Sequence, residues 1–433
     1  MKKKNKFYEI LKENWLIFLI IIVSLILHIL TTIELGFKYS LNSDDASYIQ
    51  SGVIFLKTGQ ITMHGVLSAQ IMPGMTYLIA IVALIFGTGT KLVVALKIFW
   101  MLMGITTIYI VYKIIRLYAN NKYIAALPCI FFLAADYIWM DNIILTETPF
   151  ILLFALLFYH GLRLSKTSNK KDYVLTVTYY IIAVFIRPNI GIFPIFLFIY
   201  LVLKKYDFKL LIKQFLIAGL IVILILMPWI YRNYKLFNKF IPLTYGVGNP
   251  LLLGTYQGVG YPSDEQLDYI TNVDEKMSDE MRYYIENLDS KEYLRRYYFL
   301  EYDGMKAKYR MKYWWNHDKK SMIKSYLFYK PKEIFYNYFY WDNILKVDSK
   351  CLVLLRKIEI CLFIFSTIFI FIDKKRVKEW LFLMMMYGSQ IALYSYTFAF
   401  SRYAITMFFI RYIIIGLGLD TLYNLCKKWR KRK

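Results

Sequence analysis

Long apolar stretches are the feature of this sequence that most restricts its fold. A helix needs about 20 apolar residues to cross the ~30 Å core of a bilayer. The chain has nine stretches of suitable length, at 15–33, 92–115, 123–140, 146–162, 173–203, 211–231, 352–372, 380–400 and 403–422, and a shorter one at 71–86. Charged residues make up 19% of the 433 residues, against roughly 25% in soluble domains. The sequence therefore predicts an all-α polytopic membrane protein.

The net charge is +24, and many of the basic residues lie beside the apolar stretches. Of the 54 Lys and Arg residues, 26 lie in six short segments beside the stretches, at 2–12, 113–122, 163–171, 204–213, 374–378 and 427–433. This is the positive-inside pattern of membrane proteins, whereas a nucleic-acid-binding protein gathers basic residues on one soluble face. We expect cytoplasmic N- and C-termini, a multi-pass protein of a bacterial cell membrane, and no nucleic-acid partner.

The rule that basic loops stay on the cytoplasmic side decides how two ambiguous stretches are interpreted. If 71–86 crossed the bilayer, the later basic loops would fall outside, so a helix at the outer surface is predicted there. Stretch 173–203 would be ~46 Å long as one helix, has basic runs at both ends, and contains Arg187-Pro188 in its middle. Two short passes that meet outside satisfy all three observations. About ten transmembrane helices are predicted.

Three segments follow from this topology. Residues 1–231 form an N-terminal transmembrane catalytic module with a first external loop at 34–90. Residues 232–350 form a mostly helical extracytoplasmic segment, which holds 16 of the 30 acidic residues and has helix-start patterns at Ser263 and Ser278. Residues 351–433 form C-terminal transmembrane helices and a basic cytoplasmic tail.

Acidic side chains at the outer side are candidates for catalysis. Asp44 and Asp45 directly follow the first crossing, and like charges at close range raise one pKa, which suits a general base. The alternative is a solvated turn that caps the next helix. Glu147, at the outer entry of a later crossing, is either a helix-dipole partner or a second carboxylate of the same cavity. Asp141 competes with Glu147 for that second role.

Arginines also lie at the outer ends of crossings, against the positive-inside bias. Arg187, Arg232 and Arg402 could bind a phosphate bidentately, or could form ion pairs or reach the interface. Arg411 lies mid-span, where a charge is usually functional or paired, and Asp420 is not an obvious partner.

Histidines and metal ligands give weaker signals. His64, in the first external loop, could touch substrate or be an ordinary loop residue. The four His are scattered without metal-ligand spacing, so no metal site and no certain cofactor are predicted, although Asp44, Asp45 and Glu147 could hold a divalent metal.

Six short motifs occur in order along the chain: Asp44-Asp45-x-x-Tyr48, Met72-Pro73-Gly74 before a Phe-Gly, Thr146-Glu147, Arg187-Pro188-Asn189, Pro228-Trp229-Ile230-Tyr231-Arg232-Asn233 and Ser401-Arg402-Tyr403. Their order resembles the GT-C superfamily of integral membrane glycosyltransferases, of the family 39-like type that includes protein O-mannosyltransferases and aminoarabinose transferases. The similarity covers most of 15–254 and reappears near Arg402. The family's proline-led surface segment usually carries two prolines, whereas this chain has only Pro73.

The resemblance implies a polyprenyl-phosphate sugar as donor and a glycan, lipid or protein as acceptor, with the reaction on the extracytoplasmic face. Asp44 or Asp45 would act as general base in an inverting hexosyl or pentosyl transfer. The leaving phosphate would be bound by guanidinium groups, and the substrate would contact other side chains of the same motifs. The implied phosphate ligands are Arg187, Arg232 and Arg402, and the implied substrate contacts are Tyr48, His64 and Glu147.

Two other functions remain open. An O-antigen-type polymerase or ligase also has many crossings and a large outer loop. A non-enzymatic flippase or transporter of lipid-linked sugars would place polar residues mid-membrane, often within inverted repeats. Arg411 is the clear mid-span charge in this sequence, and no repeat is visible.

Overall fold

The structure is a computed structural model that describes residues 13–430. Predictions for the basic run 2–12 and for the last three residues of the basic tail lie outside the described residues. Five described helices are long and apolar enough to cross a membrane: Trp15–Leu35, Thr90–Arg116, Glu147–Thr167, Phe208–Phe237 and Ser401–Arg430. The prediction of an all-α polytopic membrane protein is confirmed, while the count of about ten crossings stays a prediction.

Helices follow one another through the described chain, with one short hairpin. The N-terminal part contains α1 (Trp15–Leu35), α2 (Asp44–Thr58), strands β1 (Thr62–Met63) and β2 (Val66–Leu67), α3 (Gly74–Phe86), α4 (Thr90–Arg116), α5 (Lys122–Ala126), α6 (Ala135–Met140), α7 (Glu147–Thr167), α8 (Lys170–Ile186), α9 (Phe193–Leu203) and α10 (Phe208–Phe237). The remainder contains α11 (Gly248–Gly254), α12 (Tyr269–Asn272), α13 (Asp279–Glu286), α14 (Glu292–His317), α15 (Lys319–Lys324), α16 (Lys330–Tyr336), α17 (Ser349–Asp373), α18 (Val377–Tyr396), α19 (Ser401–Ala404) and α20 (Phe408–Arg430).

The predicted break at Arg187-Pro188 is confirmed. Helix α8 ends at Ile186, Arg187 is extended (φ −146°, ψ 115°), and a 3₁₀ turn at Pro188–Ile192 leads into α9. The proline ring disfavours a helical conformation at the residue before it. The chain therefore reverses here, and Arg187 lies at the end of α8 instead of inside a long helix, with its side chain only 12% exposed.

The stretch 123–140 differs from the continuous crossing helix that its composition predicts. It consists of α5, a 3₁₀ helix at Leu127–Leu133 and α6. Pro128 has no backbone N–H to donate to a helix hydrogen bond, and its ring crowds the preceding turn, so a continuous α-helix is disfavoured here. Helix α3 at 71–86 has only 13 residues, or ~20 Å, which is too short to cross a bilayer and agrees with the predicted surface helix.

Segment 232–350, for which an external location stays a prediction, is mostly helical as predicted and is anchored to the helices that follow it. Ser263 forms a capping box and the Ser278 side chain caps α13, so both predicted helix starts are confirmed. The Gln257 side chain donates to the Ala399 carbonyl (3.0 Å) and accepts from the Ala399 N–H (2.8 Å). This pair ties the external segment to the loop that precedes Arg402.

The mid-span charge of Arg411 is paired inside the bundle. Its Nε lies 2.7 Å from a Glu359 oxygen, and its Nη1 donates to the Phe335 carbonyl (3.0 Å). Arg356 also binds Glu359, and donates to Asp136 at 2.9 Å. A buried network of two arginines and two acids thus joins α6, α17 and α20, and Asp420 takes no part in it.

Candidate active site

A tight turn before α2 gives the two adjacent aspartates different environments. The buried Asp45 carboxylate accepts hydrogen bonds from Ser40 Oγ (2.7 Å), Leu41 N (2.9 Å) and Ser43 N (3.1 Å). Asp45 therefore holds the turn that precedes α2, but it is buried and makes no side-chain cap to the helix, so the alternative of a solvated helix cap is wrong. The Asp44 side chain points the other way and is 30% exposed.

Asp44 lies between an arginine and a histidine. Arg402 Nη1 donates to Asp44 Oδ2 at 2.7 Å, and His64 Nε2 lies 3.6 Å from Asp44 Oδ1. His64 occupies the two-residue turn between β1 and β2, where it and Gly65 both have positive φ (52° and 80°), as a type I′ turn requires. Its Nδ1 shares a 2.6 Å hydrogen bond with Ser47 Oγ, one turn along α2 from Asp44.

Glu147 is fully buried and joins two arginines. Its Oε1 accepts from Arg402 Nε (2.8 Å) and from Arg187 Nη1 (3.1 Å). Arg402 thus bridges Glu147 and Asp44 with separate donors. Asp141, the competing acid, instead binds His28 (3.1 Å) and Thr148 (2.7 Å).

Aromatic rings enclose this cluster, which we call the Asp44–Arg402 cluster and define as Asp44, Glu147, Arg187 and Arg402. The Arg187 guanidinium lies over the rings of Tyr403 (5.3 Å) and Phe150 (5.7 Å). Tyr48 is buried within electrostatic range of all four members. Burial raises the pKa of Tyr48, so its hydroxyl stays protonated and remains a hydrogen-bond donor.

The charge of His64 is set by opposing effects. Burial and the nearby Arg296 lower the pKa of His64, and Asp44 opposes them. A neutral imidazole is therefore favoured near pH 7. Arg296 belongs to the external helix α14, where it donates to the Met63 carbonyl (3.0 Å) and to Gln70 (3.0 Å).

Arg232 is not brought into the cluster. Its guanidinium donates to the carbonyls of Ser68 (2.7 Å) and Ile61 (3.1 Å) and lies 5.0 Å from the Trp229 ring. It thereby holds the two ends of the β1–β2 hairpin that carries His64. Its predicted role as a phosphate ligand stays a prediction.

Ser47 and Arg296 are site residues that the sequence did not indicate. Ser47 could have been found, because it lies three residues after Asp44 on one helix face. Arg296 could not, since it belongs to a distant external helix and only the tertiary fold brings it to the hairpin. Within residues 13–430, no group of three or more His, Cys, Asp or Glu is placed to hold a metal ion.

The chain was compared with known families and structures. Residues 71–231 match the family described as dolichyl-phosphate-mannose-protein mannosyltransferase. The matched segment includes Glu147 and Arg187. Among solved structures, the oligosaccharyltransferase AglB of Archaeoglobus fulgidus, tethered to an acceptor peptide, overlaps 98% of this chain with a TM-score of 0.56 and 13% identity. The chain has the GT-C fold.

A second AglB structure, in complex with an inhibitory peptide and a dolichol-phosphate, gives a TM-score of 0.55 at 14% identity over 97% of the chain. The chain spans about half the length of these AglB chains, 51% and 52%. ArnT of Cupriavidus metallidurans in the apo state overlaps 93% of this chain and 76% of its own, with a TM-score of 0.42 and 13% identity. No curated protein matches the sequence. The resemblance to GT-C glycosyltransferases that the motifs indicate is confirmed.

Proposed function

We propose that this GT-C chain is a membrane glycosyltransferase that moves a sugar from a polyprenyl-phosphate donor to an acceptor hydroxyl on the extracytoplasmic face. The observation that carries the proposal is the Arg402 bridge, in which one guanidinium binds both Asp44 (2.7 Å) and Glu147 (2.8 Å). A partly exposed carboxylate thereby contacts one arginine and is linked through Glu147 to a second, Arg187; these are the groups that a base and a phosphate site require.

Asp44, and not Asp45, is the proposed general base. The Asp45 oxygens already accept three hydrogen bonds in the turn, whereas Asp44 is partly exposed. In the reaction, the acceptor hydroxyl attacks the anomeric carbon and gives its proton to Asp44. The bond from the anomeric carbon to the phosphate oxygen breaks, and this single displacement inverts the anomeric carbon.

Arg187 and Arg402 are the proposed ligands of the leaving phosphate. Guanidinium groups stay charged and bind phosphate oxygens bidentately, and donors placed where negative charge develops stabilise the transition state. A phosphate that competes for Arg402 would release Asp44 from its ion pair, so donor binding and activation of the base would be coupled. Glu147 keeps both arginines in place, while Tyr48 and His64 contact substrate.

The AglB complex with a dolichol-phosphate supports a lipid phosphate as the donor class. One of the two solved structures holds an acceptor peptide and the other an inhibitory peptide. These peptides are ligands of those proteins, and the acceptor proposed for this chain is a glycan, a lipid or a protein. We place the chain in a bacterial cell membrane with both termini in the cytoplasm.

Purified protein in proteoliposomes, supplied with radiolabelled polyprenyl-phosphate hexoses and pentoses, tests the proposal. We expect one donor to be consumed by the wild type and by Glu301→Gln, an exposed control in α14, but not by Asp44→Asn. Consumption of a diphosphate-linked donor would indicate the polymerase or ligase class. Lipid-sugar transport without any glycosyl product would indicate a flippase.

A further inference from the structure

A buried lysine lies outside the proposed catalytic cluster. Lys97 belongs to the membrane-crossing helix α4, ~10 Å from its first residue, and is only 4% exposed. Its Nζ donates to the carbonyls of Tyr39 (2.9 Å) and Asn142 (2.7 Å). Within the described part of the chain, no carboxylate lies within ion-pair distance of it.

This position needs an explanation, because a cation inside a membrane span is costly unless it is paired or functional. An ammonium group has three N–H donors, and the two carbonyls take two of them. The two carbonyls satisfy hydrogen bonds but carry no net charge, and the Tyr39 ring, 5.4 Å from Nζ, offsets only part of the ammonium charge. The Lys97 ammonium group therefore lacks an oppositely charged partner within ion-pair distance, and a bound anion would supply one.

Lys97 lines two cavities of different character. The first, of about 440 Å³, opens at the start of α4 and α2; we call it the polar cavity because Lys38, Ser40, Asp45 and Thr90 line it among apolar groups. The second, of about 210 Å³, is an apolar groove between α1 and α4. Its lining includes Ile33 and Ile98, whose apolar side chains are exposed at the surface of the protein. A cation thus lies where a polar cavity meets an apolar groove, which is the arrangement that an anionic amphiphile fits.

The electrostatics of the polar cavity also favour an anion. Lys38 adds a second positive charge, and the N-terminus of the 27-residue α4 presents unpaired backbone N–H groups. Asp45 also lines this cavity and places a negative charge near Lys97, but its carboxylate oxygens already accept three hydrogen bonds from the turn.

We propose that Lys97 binds the phosphate of an anionic membrane lipid, whose headgroup occupies the polar cavity and whose acyl chain lies in the groove along Ile33 and Ile98. The site is separate from Arg187 and Arg402. It does not depend on the proposed glycosyl transfer.

Native mass spectrometry of the purified full-length chain tests this site. The probes are dioleoyl phosphatidylglycerol and dioleoyl phosphatidylcholine, which share acyl chains and differ in net charge. We expect the wild type to bind phosphatidylglycerol about tenfold more tightly, as a charge-assisted contact predicts. Lys97→Gln should abolish this preference and Lys97→Arg should keep it. The control Lys113→Gln, at the other end of α4, should also keep it.

The proposal would be overturned by equal binding of both lipids by the wild type, by a preference that survives Lys97→Gln, or by a preference that is lost in Arg402→Gln. Loss of the preference in Arg402→Gln would assign the lipid to the Asp44–Arg402 cluster. Because Lys97→Gln also removes two structural hydrogen bonds, Met101→Trp serves as a second variant. It fills the apolar groove while Lys97 remains, so it should weaken phosphatidylglycerol binding, and unchanged binding would equally refute the site.

Discussion

Replacing Glu147 by Gln tests whether one buried carboxylate holds the cluster together. The substitution keeps the size of the side chain but removes its charge, and leaves Arg187 and Arg402 close to each other without their shared partner. Two hydrogen bonds to a charged group, at about 1.5–3 kcal/mol each, are lost or weakened. Breaking a buried ion pair by removing one partner costs about 3–5 kcal/mol. We expect the free energy of unfolding to fall by about 3–5 kcal/mol.

The assay is denaturant titration in mixed detergent micelles, with sugar transfer measured on the same preparation. Glu301→Gln, on the exposed face of α14, should change neither quantity. In Glu147→Gln, Arg402 keeps its ion pair with Asp44, whereas Arg187 loses its acidic partner. Adding Arg187→Gln removes that uncompensated cation, so the double variant should be more stable than Glu147→Gln alone by about 0.5–3 kcal/mol, the usual coupling between contacting residues. A loss below about 1 kcal/mol in Glu147→Gln, with no gain in the double variant, would refute this reasoning.

Other predictions concern the two aspartates, the histidine and the outlying arginine. Asp44→Asn should lower kcat by about 10²–10⁴-fold with little change in thermal stability. Asp45→Asn should instead lower the melting temperature, because it weakens the turn. Equal losses of kcat in both variants at an unchanged melting temperature would contradict the assignment of Asp44 as the base. Burial and Arg296 hold the pKa of His64 in the folded protein below its usual 6.5. The folded state is therefore favoured most above pH 6.5, where His64 is neutral, and this contribution to stability should be lost as the pH falls through the lowered pKa. A pH titration of stability should show this acid limb in the wild type and not in His64→Gln. Arg232→Gln should lower the melting temperature, since it removes two hydrogen bonds to the hairpin, and should retain most of kcat; loss of transfer at an unchanged melting temperature would support a phosphate-binding role instead.

Local signals in the sequence were sufficient for several features of the fold. The proline after Arg187 predicted the helix break because its ring acts on the residue beside it. The serines at 263 and 278 predicted helix starts because a cap bonds to its own first turn. Pro128 carried the same kind of information for 123–140, but apolar composition alone does not distinguish one long helix from α and 3₁₀ pieces.

The candidate site was only partly predictable. Sequence analysis indicated Asp44, Glu147, Arg187 and Arg402 together, because outward acids and arginines are unusual at these positions. It could not separate Asp44 from Asp45, since the choice depends on which carboxylate the 40–45 turn binds. It also grouped Arg232 with the other arginines, although the fold directs this guanidinium to two backbone carbonyls of the first loop.

The sequence by itself determined that this chain is a helical membrane protein, that one long apolar stretch breaks at Arg187-Pro188, and which unusual charges lie near the helix ends. These properties depend on hydropathy and on contacts within a few residues. Tertiary structure alone decided which charges meet: Arg402 lies 358 residues from Asp44 and 255 from Glu147, and Arg411 finds Glu359 on another helix. Pairings over such distances depend on how the helices pack, and hydropathy and short-range spacing do not encode that packing.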